Sequence, residues 1–198
     1  MTPEIVPFQC YHRSLYWSTQ GGPRATEGGR IVTADMDGTN ATVIVPNVIA
    51  KLLTVDRQSG LLVWQQQSPN LQETHADVKI VESGLDGKPL KNLANLSAFP
   101  LRLRTAGDDV FFFINASLHA YKRATKIIYL KSLVQNFDRT QDFYVYMSNP
   151  KRRKPKSPCD DRLCAHICVP KPSMGELSCL CPTGFKLLLD NRSCGKTP

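Results

Sequence analysis

Six of the seven cysteines in this 198-residue chain fall between 159 and 194, spaced C-x4-C-x3-C-x10-C-x-C-x12-C; the seventh, Cys10, stands alone near the start. A 36-residue segment buries too little surface to hold a core of its own, so these cysteines must supply cross-links or metal ligands. Structural zinc sites use paired C-x2–4-C knuckles separated by a longer loop, and the closely set Cys179 and Cys181 do not follow that pattern. His166, between Cys164 and Cys168, reads as an exposed loop residue. Disulfides are therefore expected, with fifteen connectivities open on spacing alone. Disulfides persist in oxidising compartments, which places this segment on the extracellular or lumenal side of a membrane.

The single residue between Cys179 and Cys181, followed by Pro182-Thr183-Gly184-Phe185, resembles the EGF-like modules. That resemblance implies the pairs Cys159–Cys168, Cys164–Cys179 and Cys181–Cys194. Gly184 suits the tight turn after the fifth cysteine, and Phe185 is placed to pack on the small hairpin. Calcium-binding modules carry acidic or amide residues just before their first cysteine. Here that stretch is Pro155-Lys156-Ser157-Pro158, which offers no such ligands. Growth-factor modules have a shorter last loop with Gly-x-Arg, whereas this loop runs 12 residues over 182–193. A spacer or packing module without a metal site is the expectation.

The first 150 residues carry a repeat. Trp17 lies in Leu15-Tyr16-Trp17-Ser18-Thr19, Trp64 recurs 47 residues later in Leu61-Leu62-Val63-Trp64, and Phe112 follows after 48 in Val110-Phe111-Phe112-Phe113. After the first two aromatics come runs ending in Asp37-Gly38 and Asp86-Gly87, the strongest hairpin-turn dipeptide. A period of about 45 residues with several short strands per unit points to propeller blades.

At these residues the chain resembles the YWTD propeller of the LDL-receptor-related family. Tyr16-Trp17, Met36-Asp37-Gly38 and Leu85-Asp86-Gly87 match its signature and its Leu-Asp-Gly turn. Leu53-Thr54-Val55-Asp56 with Ser59-Gly60, and Pro100-Leu101-Arg102-Leu103 with Gly107-Asp108, match the strand and turn that open a blade. The order of propeller, linker and Cys-Pro-Thr-Gly module is that of the family, and the resemblance runs over roughly 13–194. The signature's Thr-Asp half is replaced by Ser18-Thr19, Gln65-Gln66 and Phe113-Ile114, so the aspartate that ties blades in the family is missing.

The resemblance implies an all-β chain: a partial YWTD-type β-propeller of about three of the family's six blades over 12–149, a basic Pro-containing linker over 150–157, and the EGF-like module over 158–195. Strands are expected at 13–19, 30–36 and 41–45; at 52–56, 61–66, 78–83 and 89–93; and at 101–105, 110–115, 118–123 and 127–131. The first blade is expected to begin at its second strand, and 143–146 to form a lone closing strand. A half ring leaves apolar blade faces open to self-association.

Hydrophobic residues make up 41% and charged residues 21%, a globular balance. No apolar run reaches the ~20 residues that span a bilayer as a helix. Met1 is not followed by a basic n-region and an apolar run, so the chain is expected to be a piece of a longer exported protein. The net charge is +8, but Lys151, Arg152, Arg153, Lys154 and Lys156 supply five positives within six residues; the remainder carries 20 basic against 17 acidic residues. That run reads as a solvated linker stiffened by Pro150, Pro155 and Pro158, with heparan sulfate as candidate partner and no role in nucleic-acid binding.

Four sequons, at Asn40, Asn95, Asn115 and Asn191, are glycosylation candidates in an exported chain. Asn40 stands best, after the Asp37-Gly38 turn. His12, His75, His119 and His166 are scattered, and none lies in a metalloprotease, nucleophile-elbow or P-loop pattern. Asp108-Asp109 reads as a solvated turn. No catalytic, cofactor-binding or metal-ligating residue is expected, and the chain is read as no enzyme. The expected function is an extracellular ligand-binding or spacer segment of an LDL-receptor-related endocytic or signalling receptor. Its partners are extracellular protein ligands and the remainder of the propeller in the parent chain. The alternatives are a segment of a nidogen-like matrix protein and a propeller-fold hydrolase.

Overall fold

The computed structural model describes residues 9–11, 13–19, 28–67, 78–114, 117–133, 143–145, 157–161, 163–171 and 175–197. Within them, three four-stranded sheets follow one another, each with its strands in sequence order. The first holds β1 (Gln9–Tyr11), β2 (Ser14–Thr19), β3 (Arg30–Asp35) and β4 (Thr42–Val45). The second, an antiparallel meander, holds β5 (Ile49–Asp56), β6 (Leu61–Gln67), β7 (Val78–Gly84) and β8 (Lys91–Leu96). The third repeats that meander with β9 (Leu103–Ala106), β10 (Asp109–Ile114), β11 (Ser117–Lys122) and β12 (Ile127–Leu133). These are propeller blades. After a short 3-10 turn at Pro158–Asp161 come two hairpins, β13 (Ile167–Pro170) with β14 (Leu177–Leu180), and β15 (Phe185–Leu187) with β16 (Cys194–Lys196). The chain divides into two compact units: Met1–Gln9 with Trp17–Val32 and Val43–Ser148, and Cys10–Tyr16 with Thr33–Thr42 and Asn149–Pro198.

Three strand expectations are corrected. Blade one has a first strand, β1, whose three residues are too few to show a hydrophobic period. The last strand of blade two starts at Lys91 rather than 89, because the Asp-Gly turn runs on to Lys88, with Gly84 donating to the Lys88 carbonyl at 3.2 Å and the Lys88 amide donating to Asp86 at 3.0 Å. Residues 143–145 form no strand. Phe143 and Tyr144 both lie against the Arg104 guanidinium, at 6.0 and 5.9 Å, whereas a strand would send successive side chains to opposite faces.

Blades two and three share a core. Val63, Ile80 and Leu93 of one meet Leu103, Val110, Phe112, Ile114 and Tyr121 of the other. On β10 the even positions face blade two, and alternation turns Phe111 and Phe113 to the opposite face. In blade two, Leu62 to Gln65 are buried without a break, as a strand covered on both faces requires. The blade-two Asp-Gly turn needs its glycine twice over: Gly87 has φ +83°, and a Cβ there would overlap the Ile44 carbonyl of β4.

An ion triad also spans this pair of blades. Arg123, just after β11, pairs with Asp56 at the end of β5 (2.7 Å), with Glu82 of β7, and with the Gly107 carbonyl. The three charged side chains are 8%, 2% and 7% exposed. Lys91 approaches Glu82 at 3.4 Å, and Asp56 Oδ1 accepts from the Gln58 amide at 3.0 Å. Charges this deeply buried persist because each meets an opposite charge or a carbonyl. Blades two and three are thus joined by charge although their signature positions lack aspartate.

Candidate functional site

Within the second unit, the turn between β3 and β4 meets the β13–β14 hairpin. The turn is built by its own polar groups: Gly38 donates to the Asp35 carbonyl at 2.9 Å, and Asp37 Oδ1 accepts from Thr39 Oγ1 at 2.6 Å and from the Thr39 amide at 3.1 Å. This leaves Asp37 Oδ2 aimed at the hairpin. Ser178 of β14 donates to it at 2.6 Å, and the Lys171 ammonium lies 3.5 Å away. Arg13 Nη1 donates to the Lys171 carbonyl at 3.2 Å. The Asp37 side chain is 6% exposed. The hydrogen bond from Ser178, then that from Thr39, hold its carboxyl well below the usual carboxylate range, with Lys171 adding to the effect. Beside this contact lies a cavity of about 340 Å³ lined by Arg13, Ser157, Pro158, Asp161, Leu163 and Leu177. It mixes one cation and one anion with apolar walls.

The hairpins of this unit are stapled. Cys159 is bonded to Cys168, Cys164 to Cys179 and Cys181 to Cys194, with Cα separations of 5.8, 5.3 and 5.8 Å. Gly184 takes φ +87° in a turn closed by Phe185 donating to the Pro182 carbonyl at 3.1 Å. Phe185 lies 5.9 Å, ring to ring, from the exposed His166. The loop before Cys194 turns on Asp190, whose Oδ1 accepts from the Arg192 and Ser193 amides at 3.0 and 2.9 Å; those bonds lower its pKa to about 2.

No protein-family model matches the chain. Low-density lipoprotein receptor-related protein 4 of Rattus norvegicus is 35% identical over 66 residues, 32% of this chain and 3% of that protein. Low-density lipoprotein receptor-related protein 5 of Mus musculus is 28% identical over 170 residues, 83% of this chain and 10% of that protein. Over these stretches the chain is similar, at a distance, to LDL-receptor-related proteins. It spans a tenth or less of the length of these two. Among solved structures, the β-propeller domain of the trilobed protease from Pyrococcus furiosus superposes with a TM-score of 0.50 at 8% identity, over 69% of this chain and 46% of that one. That likeness is one of fold. The LDL-receptor-related matches carry receptor names, not enzyme names.

The remaining residues singled out in the sequence are spread apart. Asn40 is exposed at φ +56°, its Nδ2 donating to Asp35 at 2.9 Å. Asn95 is exposed on β8 and accepts from Asn92 at 2.9 Å, and Asn191 is exposed at φ +54°. Asn115, His12, His75 and the basic residues Lys151, Arg152, Arg153, Lys154 and Lys156 lie outside the described residues, as does the side chain of Cys10. His119 stacks on its cross-strand partner Phe112 at 5.3 Å. Asp108 is not merely solvated: its carboxylate accepts from the Ala124 amide at 3.1 Å and braces the β11–β12 turn. Among the described residues no group of three or more His, Cys, Asp or Glu could hold a metal ion, and no helix is long and apolar enough to cross a membrane. Sequence reasoning found the Asp37 turn but missed Ser178 and Lys171, which no local motif marks, and Arg123, whose partners lie 41 and 67 residues away.

Proposed function

We propose that the chain serves as an extracellular binding and spacer segment of an LDL-receptor-related receptor, endocytic or signalling. Residues 12–149 act as its propeller part, 150–157 as a linker and 158–195 as an EGF-like module. The observation that carries the spacer half of this reading is the buried Asp37 carboxylate held by Ser178 and Lys171. That contact ties the β3–β4 turn to the β13–β14 hairpin within one compact unit. Three disulfides in one short segment fit an oxidising compartment, and the receptor names of the relatives fit the class. Extracellular proteins are the proposed ligands, with heparan sulfate a further partner for Lys151, Arg152, Arg153, Lys154 and Lys156. Asn40, Asn95, Asn115 and Asn191 are the proposed glycan acceptors, led by Asn40.

The test is surface labelling. An antibody against 157–197 should stain intact cells that express the parent gene. Its target should shift on non-reducing gels, as disulfide-bonded chains do. Staining confined to permeabilised cells, on a chain whose thiols are free, would overturn the reading.

A further inference from the structure

The loop that joins β15 to β16 carries three leucines in a row into solvent. Leu187 ends β15, and Leu188 and Leu189 follow it into the turn. All three are exposed, and Leu189 completely, at 103%; the next most exposed large apolar side chain among the described residues is Tyr144, at 74%. The turn is not loose. The Asn191 amide donates to the Leu188 carbonyl at 3.0 Å, the Leu188 amide donates to the Ser193 carbonyl at 2.9 Å, and the Cys181–Cys194 bridge ties off the strand beyond. Leu188 folds back over β16, where a Cβ on Gly195 would come within 2.8 Å of its Cδ2. A leucine held in water by so rigid a turn calls for a cover. Lys186, Asp190 and Arg192 beside it are exposed as well, so that cover must be apolar on its inner side and wet on its outer side. Asn191-Arg192-Ser193 is a sequon, and its asparagine follows Leu189 by two residues. Their Cα atoms are at most about 7 Å apart, a span that the first sugar on Asn191 covers. The turn is closed by backbone amides and by Asp190, so Asn191 Nδ2 is able to carry a sugar without breaking any of these bonds.

We propose that an N-linked glycan on Asn191 lays the apolar face of its first sugar over Leu189 and so holds the β15–β16 turn. This rests on the reading of 158–195 as an exported, glycosylated module. Attachment draws the oligosaccharide from a lipid-diphosphate donor. The bond between C1 of the sugar and the diphosphate oxygen breaks, its electron pair staying with the diphosphate. Asn191 Nδ2 forms the new bond to C1, and the proton it loses leaves with the diphosphate. The C–H face of the sugar then removes leucine surface from water while its hydroxyls stay hydrated. The other described sequons lack this partner. Two residues before Asn40 stands Gly38, and two before Asn95 stands Leu93, which is buried in the core shared by blades two and three. Asn40 Nδ2 is moreover engaged with Asp35.

The experiment uses the full chain made in the secretory pathway of cultured mammalian cells, beside Leu189→Ser and Asn191→Asp, the latter keeping a residue that tolerates the φ of +54°. Mass spectrometry after peptide-N-glycosidase digestion in heavy-oxygen water reads occupancy at each sequon, and hydrogen exchange over 186–194 reads the turn. Asn191 should be occupied, and 186–194 should exchange several-fold faster in Asn191→Asp than in the glycosylated chain. In Leu189→Ser, removing the glycan should leave exchange over 186–194 nearly unchanged. An empty Asn191 overturns the inference whatever the other sequons carry. Glycan at Asn40 or Asn95 would then leave the export reading standing, and free thiols with no glycan at any sequon would remove that reading too. With Asn191 occupied, equal exchange in the glycosylated chain and Asn191→Asp, or the same slowing by glycan in Leu189→Ser, would show that the sugar does not rest on Leu189 and would overturn the inference.

Discussion

At the scale of single residues, two carboxylate arrangements govern this chain. Asp37 is ionised and held by Ser178, Thr39 and Lys171, so its carboxyl titrates below the ordinary range. A carboxyl depressed in the folded state contributes stability above its unfolded pKa and loses it as pH falls toward the folded value. The Asp37 contribution is therefore whole at pH 7 and still whole at pH 5, and fades only below about pH 4. Asp37→Ala should cost roughly 1.5–3 kcal/mol at pH 7, the range for a hydrogen bond to a charged group. Urea unfolding of both proteins at pH 7, 5 and 3 should give the same gap at the first two and a smaller one at the third. Arg123 is the opposite case, a cation serving two buried acids. Arg123→Met leaves Asp56 without its cation and Glu82 with Lys91 alone, and should destabilise by about 3–5 kcal/mol, read from the urea midpoint. Asp56 was legible in the sequence as a blade-opening residue; its charge partner was not, because nothing local to Arg123 records which blade it will face.

Among the elements, strands with strong apolar runs were legible and short or polar ones were not. β6, β7 and β10 carry buried runs that set their type. β1 is three residues long and β8 reads Lys-Asn-Leu-Ala-Asn-Leu, half polar, so its start is set by where the preceding turn releases the chain. The shared core of blades two and three hangs on Phe112, fully buried, and Phe112→Ala should cost about 3–5 kcal/mol, measured by thermal or urea unfolding. The disulfide-bonded hairpins answer to a different force. Each bridge is worth about 2–4 kcal/mol and the segment has little core to replace it. Reduction should open 159–194 to hydrogen exchange while the amides of β6 and β10 stay protected. Equal loss of protection in both regions would mean that the blades depend on the bridges.

On the scale of the whole molecule, charge is concentrated in one stretch. Lys151, Arg152, Arg153 and Lys154 should retain the protein on heparin at low salt, and the retention should weaken near physiological ionic strength, where the Debye length is about 8 Å. Alanine at all four should abolish it, checked by the salt at which each protein elutes from a heparin column. Elution at unchanged salt would place the polyanion site on the blades.

Composition and spacing alone were enough to call for cross-links, for an oxidising compartment and for blades recurring every 47 or 48 residues. These follow from local causes: too few residues for a core, apolar runs at strand period, and turns that need Asp-Gly. What joins one element to the next was decided only in three dimensions. Ser178 reaches Asp37 across 141 residues, Arg123 reaches Asp56 across 67, and Phe143 settles on Phe113 rather than entering a strand. Burial makes these contacts strong, since a charge or ring removed from water must find its complement there. Burial is a property of the assembled chain, and no stretch of sequence carries it.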